Sequence, residues 1–290
     1  MERRWSREDS LAYTHWLATH HYENFHVVSF LLPKRLHQDF YNVYSFCRWA
    51  DDLGDEIGDT QESLRLLDWW RKELHAMYEG TASHPVFVAL QDTCARHQLP
   101  IEPFDDLITA FEQDQVVTRY RDFDHLIEYC RYSANPVGRL VLGLCGYRDE
   151  HRRELSDATC TALQLANFWQ DVIVDLEKDR VYLPLDVISK HGYSVEELFA
   201  RKFNPAFQAA MQEACGVARE LFLKGLPLAG QVDRRLAIDL ELFSRGGLKI
   251  LEKIEQQNFD VLRARPSISK VERAGLLLSA VTRRVFSRAA

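Results

Sequence analysis

The stretch from Gln164 to Asp175 constrains this chain more than any other. It reads Gln-Leu-Ala-Asn-Phe-Trp-Gln-Asp-Val-Ile-Val-Asp, and in it Asn167, Asp171 and Asp175 recur at every fourth residue among bulky apolar side chains. A four-residue recurrence lays three polar groups along one face of a helix. Carboxylates on an otherwise apolar helix are costly if buried without a partner, and a shared metal ion is the simplest compensation. The segment therefore predicts a helix that holds a cation.

A second acidic cluster, Phe46-Cys47-Arg48-Trp49-Ala50-Asp51-Asp52-Leu53-Gly54-Asp55-Glu56, lies on another amphipathic stretch. Asp51 and Asp55 project from one helical face about one turn apart, and they repel unless a cation sits between them. Mg²⁺ characteristically takes one or two carboxylates together with waters and substrate phosphates. Arg48, on nearly the same face, stands where it could grip a phosphate oxygen. An acidic run alone is as readily a solvated face. Two such clusters, one per helix, point to metal held between facing helices, a placement that bundles use, with a diphosphate as its guest.

The rest of the chain supplies the scaffold. Apolar residues recur at helical spacing, as in Phe40, Val43, Tyr44, Cys47 and again in Ala162, Leu165, Ala166, Trp169, Ile173. Breaks are expected at Pro33, Gly80 to Pro85, Leu99 to Pro103, Gly143 to Arg148, Pro184, His191 to Ser194, Asn204-Pro205 and Gly225 to Pro227. With no repeat and no long polar linker, 290 residues of which 46% are apolar predict one all-α domain over 1–290, with a central cavity. A formal charge of −7 is the wrong sign for a nucleic-acid binder. Six cysteines without CxxC or Cys/His spacing suggest neither zinc nor a disulfide framework and fit a reducing, cytoplasmic setting. No secretory signal is read at the N-terminus, and no apolar run approaches the roughly 20 residues that span a bilayer. The stretch Ala274 to Phe286 reads as an amphipathic helix that either packs on the core or lies on a membrane surface.

Between the two clusters, Asn135-Pro136 should interrupt a helix and free backbone groups. If that break lines a cavity, Tyr129 nearby is suited to proton handling or to stabilising a carbocation with its aromatic face. A tyrosine packed in the core with its hydroxyl paired is the equal alternative.

Four motifs in order then resemble the head-to-head isoprenyl diphosphate synthases of the squalene and phytoene synthase type, over nearly the whole chain. They are Tyr44-x3-Arg48-x2-Asp51-Asp52-x2-Asp55, Tyr129-Cys130 with Val137-Gly138, Gln164-x2-Asn167-x3-Asp171-x3-Asp175, and Arg180-Val181-Tyr182-Leu183-Pro184. The resemblance implies that Asp51, Asp55, Asn167, Asp171 and Asp175 hold Mg²⁺ ions, with Asp52 behind them. It implies that Tyr44, Arg48, Gln164, Arg180, Val137 and Asn24 contact substrate, that Tyr129 assists ionisation, and that Phe25 lines an isoprenoid tunnel.

The departures narrow the reading. Tyr22-Glu23-Asn24-Phe25 stands where the family usually has Ser-Arg-Ser-Phe, and Gln170 stands where an arginine commonly precedes Asp171. Ser133-Ala134-Asn135-Pro136 adds a polar amide to the cavity wall, Glu112-Gln113 replaces a small Gly-Met pair, and Arg245-Gly246-Gly247 replaces a tyrosine and should open space. Two lost arginines and an added acid suit one diphosphate rather than two, and the altered strings resemble the hydroxysqualene synthases of the bacterial hopanoid pathway. Such enzymes convert presqualene diphosphate and water to hydroxysqualene and diphosphate. Asn135, Gln170 and Glu112 become candidates for orienting that water. Implied neighbours are a presqualene diphosphate synthase upstream and a hydroxysqualene reductase downstream, with peripheral contact to the inner membrane because the substrate is so apolar. The rivals are a presqualene diphosphate, squalene or phytoene synthase condensing two prenyl diphosphates, and a non-catalytic assembly factor of the same fold.

Overall fold

The computed structural model describes residues 5–20 and 32–286, with side chains as far as Arg283. Among the described residues every regular element is helical, as the spacing predicted. In chain order these are α1 (Arg7–His20), α2 (Lys34–Asp55), α3 (Thr60–Tyr78), α4 (Pro85–His97), α5 (Glu102–Asp114), α6 (Phe123–Ser133), α7 (Asn135–Leu144), α8 (Glu150–Gln170), α9 (Val172–Glu177), α10 (Leu185–Lys190), α11 (Val195–Phe199), α12 (Pro205–Gly225), α13 (Arg234–Gln256) and α14 (Lys270–Phe286). Each expected break falls at a helix boundary, and the local chemistry shows why. Asp59, Asp122 and Asn204 cap α3, α6 and α12 by accepting from the backbone N–H of Glu62, His125 and Phe207 at 2.8, 2.8 and 3.0 Å. Ser194 and Glu197 form a reciprocal capping box on α11.

The chain groups into two compact units. The first takes residues 1–116 and 136–149, the second 117–135 and 150–290. In the first, α2 is held by aromatic packing at one side and by a buried polar layer at the other. Phe46 meets the Phe104 ring edge-on at 5.0 Å, and Trp70 lies 4.3 Å from Phe87, all fully buried. Asn42 of α2 accepts from Thr14 of α1 at 2.6 Å and donates to the Ala89 carbonyl and Thr93 of α4. Buried Asp39 accepts from Thr93, Arg96 and His97. Every polar group in this layer that enters the interior brings a partner, which fixes α2 in rotation and register.

In the second unit α8 and α12 run in close contact at Gly225. A Cβ there would stand 2.1 Å from Thr159 Oγ1 and 2.9 Å from the Leu155 carbonyl oxygen, both on α8. Backbone that close leaves no room for a side chain. The Gly225→Ala variant should therefore lose about 1–3 kcal/mol through forced separation of the helices. Gly216→Ala, on the same helix but facing open space, should be neutral or stabilising by about 0.5–1 kcal/mol. Thermal melts of the two variants check this, and equal effects would contradict the close approach.

Candidate active site

The polar stripe of the second motif spans a junction between two helices. Gln164 and Asn167 belong to α8, which ends at Gln170. Asp171 sits between helices at φ −105° and ψ 15°, and Asp175 belongs to α9. The single helix expected from the sequence is thus two, yet the register carries through. The N–H of Asp171 donates to the Asn167 carbonyl and that of Asp175 to the Asp171 carbonyl, each at 2.9 Å. Asn167 is exposed, Gln164 and Asp171 are half-buried, and the three motif residues keep their common face.

Electrostatics distinguish the two carboxylates. The Arg265 guanidinium grips both Asp171 oxygens, with Nη2 at 3.1 Å from Oδ2 and Nε against Oδ1. Asp175 Oδ2 is buried with no hydrogen-bond partner among the described residues. Burial, and then the neighbouring Asp171 charge, push the Asp175 carboxyl up to about 7 against the opposing pull of Arg180 and Lys178. Burial disfavours the ionised carboxylate, and a cation is what would restore it. Hard oxygen donors from Asp171, Asp175 and the Asn167 amide suit a hard divalent ion that completes its shell with water or phosphate. No three His, Cys, Asp or Glu side chains among the described residues cluster tightly enough to cage a metal alone.

In the first unit, Tyr44, Arg48, Asp51 and Asp55 follow one another along α2. Arg48 turns to its own helix, with Nη1 3.4 Å from Asp51 and Nη2 hydrogen-bonded to Asp52. A phosphate would have to compete with those carboxylates. The C-terminal turn that carries Asp55 is pinned by Gln115, whose Nε2 donates to the Gly54 carbonyl at 2.9 Å. Tyr44 is half-buried and Asp55 exposed.

An aromatic cluster in the second unit was only partly legible beforehand. The rings of Phe168 and Tyr182 stack at 3.6 Å and 7°, with Tyr129 at 6.3 and 6.2 Å from them and Tyr120 at 5.4 Å from Tyr129. Tyr182 is held there because the segment after α9 pairs with residues 118–121. Val181 N–H donates to the Thr118 carbonyl and Leu185 N–H to that of Tyr120, both at 2.9 Å. Arg119 meets Asp179 at 2.6 Å. Beside this cluster a cavity of about 10 Å³ is lined by Asp175, Arg180, Phe168, Tyr182 and Leu198 among others. That is room for about one water molecule, not for any part of an isoprenoid.

Several expected roles change. The helix does break between Ser133 and Asn135, but Asn135 is buried and its Oδ1 accepts from Thr161 at 2.9 Å. Gln170 gives its amide to the Pro266 carbonyl at 2.6 Å, and Glu112 is bound to Arg71 at 2.8 Å, so both are committed to structure rather than to orienting water. The space expected at Gly246-Gly247 is half filled. A Cβ on Gly247 would meet the Phe222 ring at 2.1 Å, whereas nothing stands near Gly246. Val137 is 44% exposed. Asn24 and Phe25 lie outside the described residues. Arg265 was missed because nothing in the sequence ties it to a residue 94 positions earlier.

Residues 18–272 match the squalene/phytoene synthase family. The chain belongs to that family. It is an enzyme of the isoprenoid synthase kind, and it is similar to hydroxysqualene synthase of Rhodopseudomonas palustris, 34% identical over 93% of each chain. It is also similar to 15-cis-phytoene synthase of Synechococcus elongatus, 30% identical over 84% of this chain and 83% of that one. The crystal structure of squalene synthase HpnC from Alicyclobacillus acidocaldarius superposes with a TM-score of 0.84 at 42% identity, over 87% of this chain and 95% of that one.

The raised Asp175 carboxyl gives a pH prediction. A carboxyl whose folded value lies above its unfolded one subtracts stability progressively as pH rises from near 4, and the loss is complete above about 7. In chelator, Asp175→Asn should match the parent protein at pH 4 and melt higher than it at pH 8. Added Mg²⁺ should raise the melting temperature of the parent at pH 8 and leave the variant nearly unchanged. Calorimetry at both pH values measures this.

Proposed function

We propose that the chain is a hydroxysqualene synthase, converting presqualene diphosphate and water to hydroxysqualene and diphosphate. The observation that carries the reading is Gln170. The residue before Asp171 is neutral and its amide is spent on the Pro266 carbonyl. That position therefore offers no cation to a second diphosphate, as a two-substrate condensation would want. The likeness to the Rhodopseudomonas palustris hydroxysqualene synthase supports it.

In this reading Asp51, Asp55, Asn167, Asp171 and Asp175 hold Mg²⁺, which when bound neutralises the leaving diphosphate. Arg265 adds positive charge beside Asp171, and Arg180 beside Asp175. The C–O bond to the diphosphate breaks with its electron pair on oxygen, the cyclopropylcarbinyl cation rearranges, and water adds to the rearranged cation and loses a proton. No reductant is consumed. The ring of Tyr129 is assigned to stabilising the cation, worth about 0.5–2 kcal/mol, with Phe168 and Tyr182 stacked on each other behind it. Exclusion of bulk water keeps capture to one site. With Oδ1 fixed by Thr161, the Nδ2 of Asn135 is the group assigned to orienting that water. The enzyme would then follow a presqualene diphosphate synthase and precede a hydroxysqualene reductase.

A second reading, condensation of two prenyl diphosphates, is favoured by the likeness to the phytoene synthase and to the squalene synthase HpnC. Purified protein with Mg²⁺ and without NADPH distinguishes them by mass spectrometry. Hydroxysqualene from presqualene diphosphate, and nothing from farnesyl diphosphate, is the expected result. Presqualene diphosphate from farnesyl diphosphate, or a forty-carbon product from a longer prenyl diphosphate, would overturn it in favour of condensation. Asp171→Ala should lower turnover roughly a hundredfold or more.

A further inference from the structure

We propose that Arg265 is a built-in competitor for the divalent cation at Asp171, aimed there by the bond from Gln170 to the neighbouring backbone. Two adjacent residues at the α8–α9 junction face two adjacent residues of the segment after α13. Gln170 donates to the Pro266 carbonyl at 2.6 Å, and Asp171 receives the Arg265 guanidinium on both of its oxygens. A guanidinium fork and a hard cation seek the same two carboxylate oxygens, and their like charge keeps them apart. Entry of the ion at Asp171 therefore requires the guanidinium to leave.

The segment is built to bring Arg265 to that place. Beyond α13 the chain turns through Asn258 and Phe259, both left-handed at φ 54° and 64°, a conformation that persists in such residues where the surroundings impose it. Phe259 N–H donates to the Ile254 carbonyl at 2.8 Å, and the Gln257 amide donates to the carbonyls of Asp260 and Ala264, each at 3.2 Å. Val261, Leu262 and Pro266 are buried. The backbone on both sides of Arg265 is thus fixed, and the Gln170 bond sets its distance from Asp171.

Burial is uneven across the ion pair, and this makes it exchangeable. The Asp171 side chain is 15% exposed and that of Arg265 48%. The guanidinium can swing into water at little cost, whereas the carboxylate, left alone, would be a charge with little solvent around it. Arg265 therefore leaves when another cation arrives, and not before. The arrangement keeps Asp171 ionised and weakens its hold on a lone ion, so that cation affinity is set by two residues outside the Asn167, Asp171 and Asp175 stripe. The inference rests on that stripe being a cation site and not on the reaction assigned above, because metal binding is read without turnover.

Titration of the full-length protein with Mn²⁺ at pH 8, without diphosphate and followed by electron paramagnetic resonance, tests it. Arg265→Met should bind Mn²⁺ about tenfold more tightly than the parent, the order of one charge-assisted pair that no longer has to be exchanged. Gln170→Leu keeps the arginine but releases the backbone beside it, and should gain about threefold, the order of one neutral hydrogen bond. Arg265→Lys, a point charge in place of a fork, should fall between the parent and Arg265→Met. Tighter binding is a result that damage to the fold does not produce, and circular dichroism checks that each variant is folded. Equal or weaker binding of Mn²⁺ by Arg265→Met would overturn the proposal. Absence of binding in every protein, the parent with inorganic diphosphate included, would overturn the cation site itself and the proposal with it.

Discussion

Two carboxylates one turn apart at the junction of α8 and α9, among apolar side chains, are the constraint from which the rest of this structure follows. Asp171 and Asp175 cannot both ionise beside buried hydrocarbon without positive charge nearby. The fold supplies Arg265 to one and leaves the inner oxygen of the other without a hydrogen-bond partner among the described residues. The rise of the Asp175 carboxyl to about 7 expresses that imbalance. A protein selected for stability alone would replace such a group, because apolar packing in its place is usually as stable or more so. Retaining it makes sense where a cation arrives with the substrate.

The surroundings of the stripe work against its escape from this arrangement. The segment after α9 is stitched to residues 118–121 by backbone hydrogen bonds, which hold Tyr182 flat against Phe168 one residue past Asn167. At the far side, Gln170 and Arg265 lock the segment at Pro266 onto the same turn. The carboxylates are therefore presented by a rigid frame, and rigidity of this kind is what lets preorganised charge act on a reaction without first reorganising. In the first unit, the buried Asn42 and Asp39 layer and the Gln115 bond to Gly54 do the equivalent for α2.

Much of this was readable from the sequence because it depended on spacing along one chain segment. Helical periodicity, prolines and caps gave the helices, and the four-residue recurrence gave Asn167, Asp171 and Asp175 as one face. What periodicity could not supply were contacts between distant segments. Arg265 reaches Asp171 across 94 residues, and the amide of Gln170 and the carboxylate of Glu112 found partners on other elements. A polar side chain near a motif looks available until the fold shows what it is bonded to. Gly247 makes the same point for space. A missing side chain in the sequence became a seat for Phe222, not an opening. The junction at Asp171 leaves no mark in the residue spacing, because the hydrogen bonds that define the register continue through it.

The central claim is that the second motif is a cation site awaiting a diphosphate. Electron paramagnetic resonance of added Mn²⁺, with and without inorganic diphosphate, tests it most directly. The account predicts that the parent protein changes the signal of the Mn²⁺–diphosphate complex, and that this change is lost when Asp171 and Asp175 are both changed to Asn. A signal that stays that of Mn²⁺ and diphosphate alone in the presence of the parent protein would contradict it.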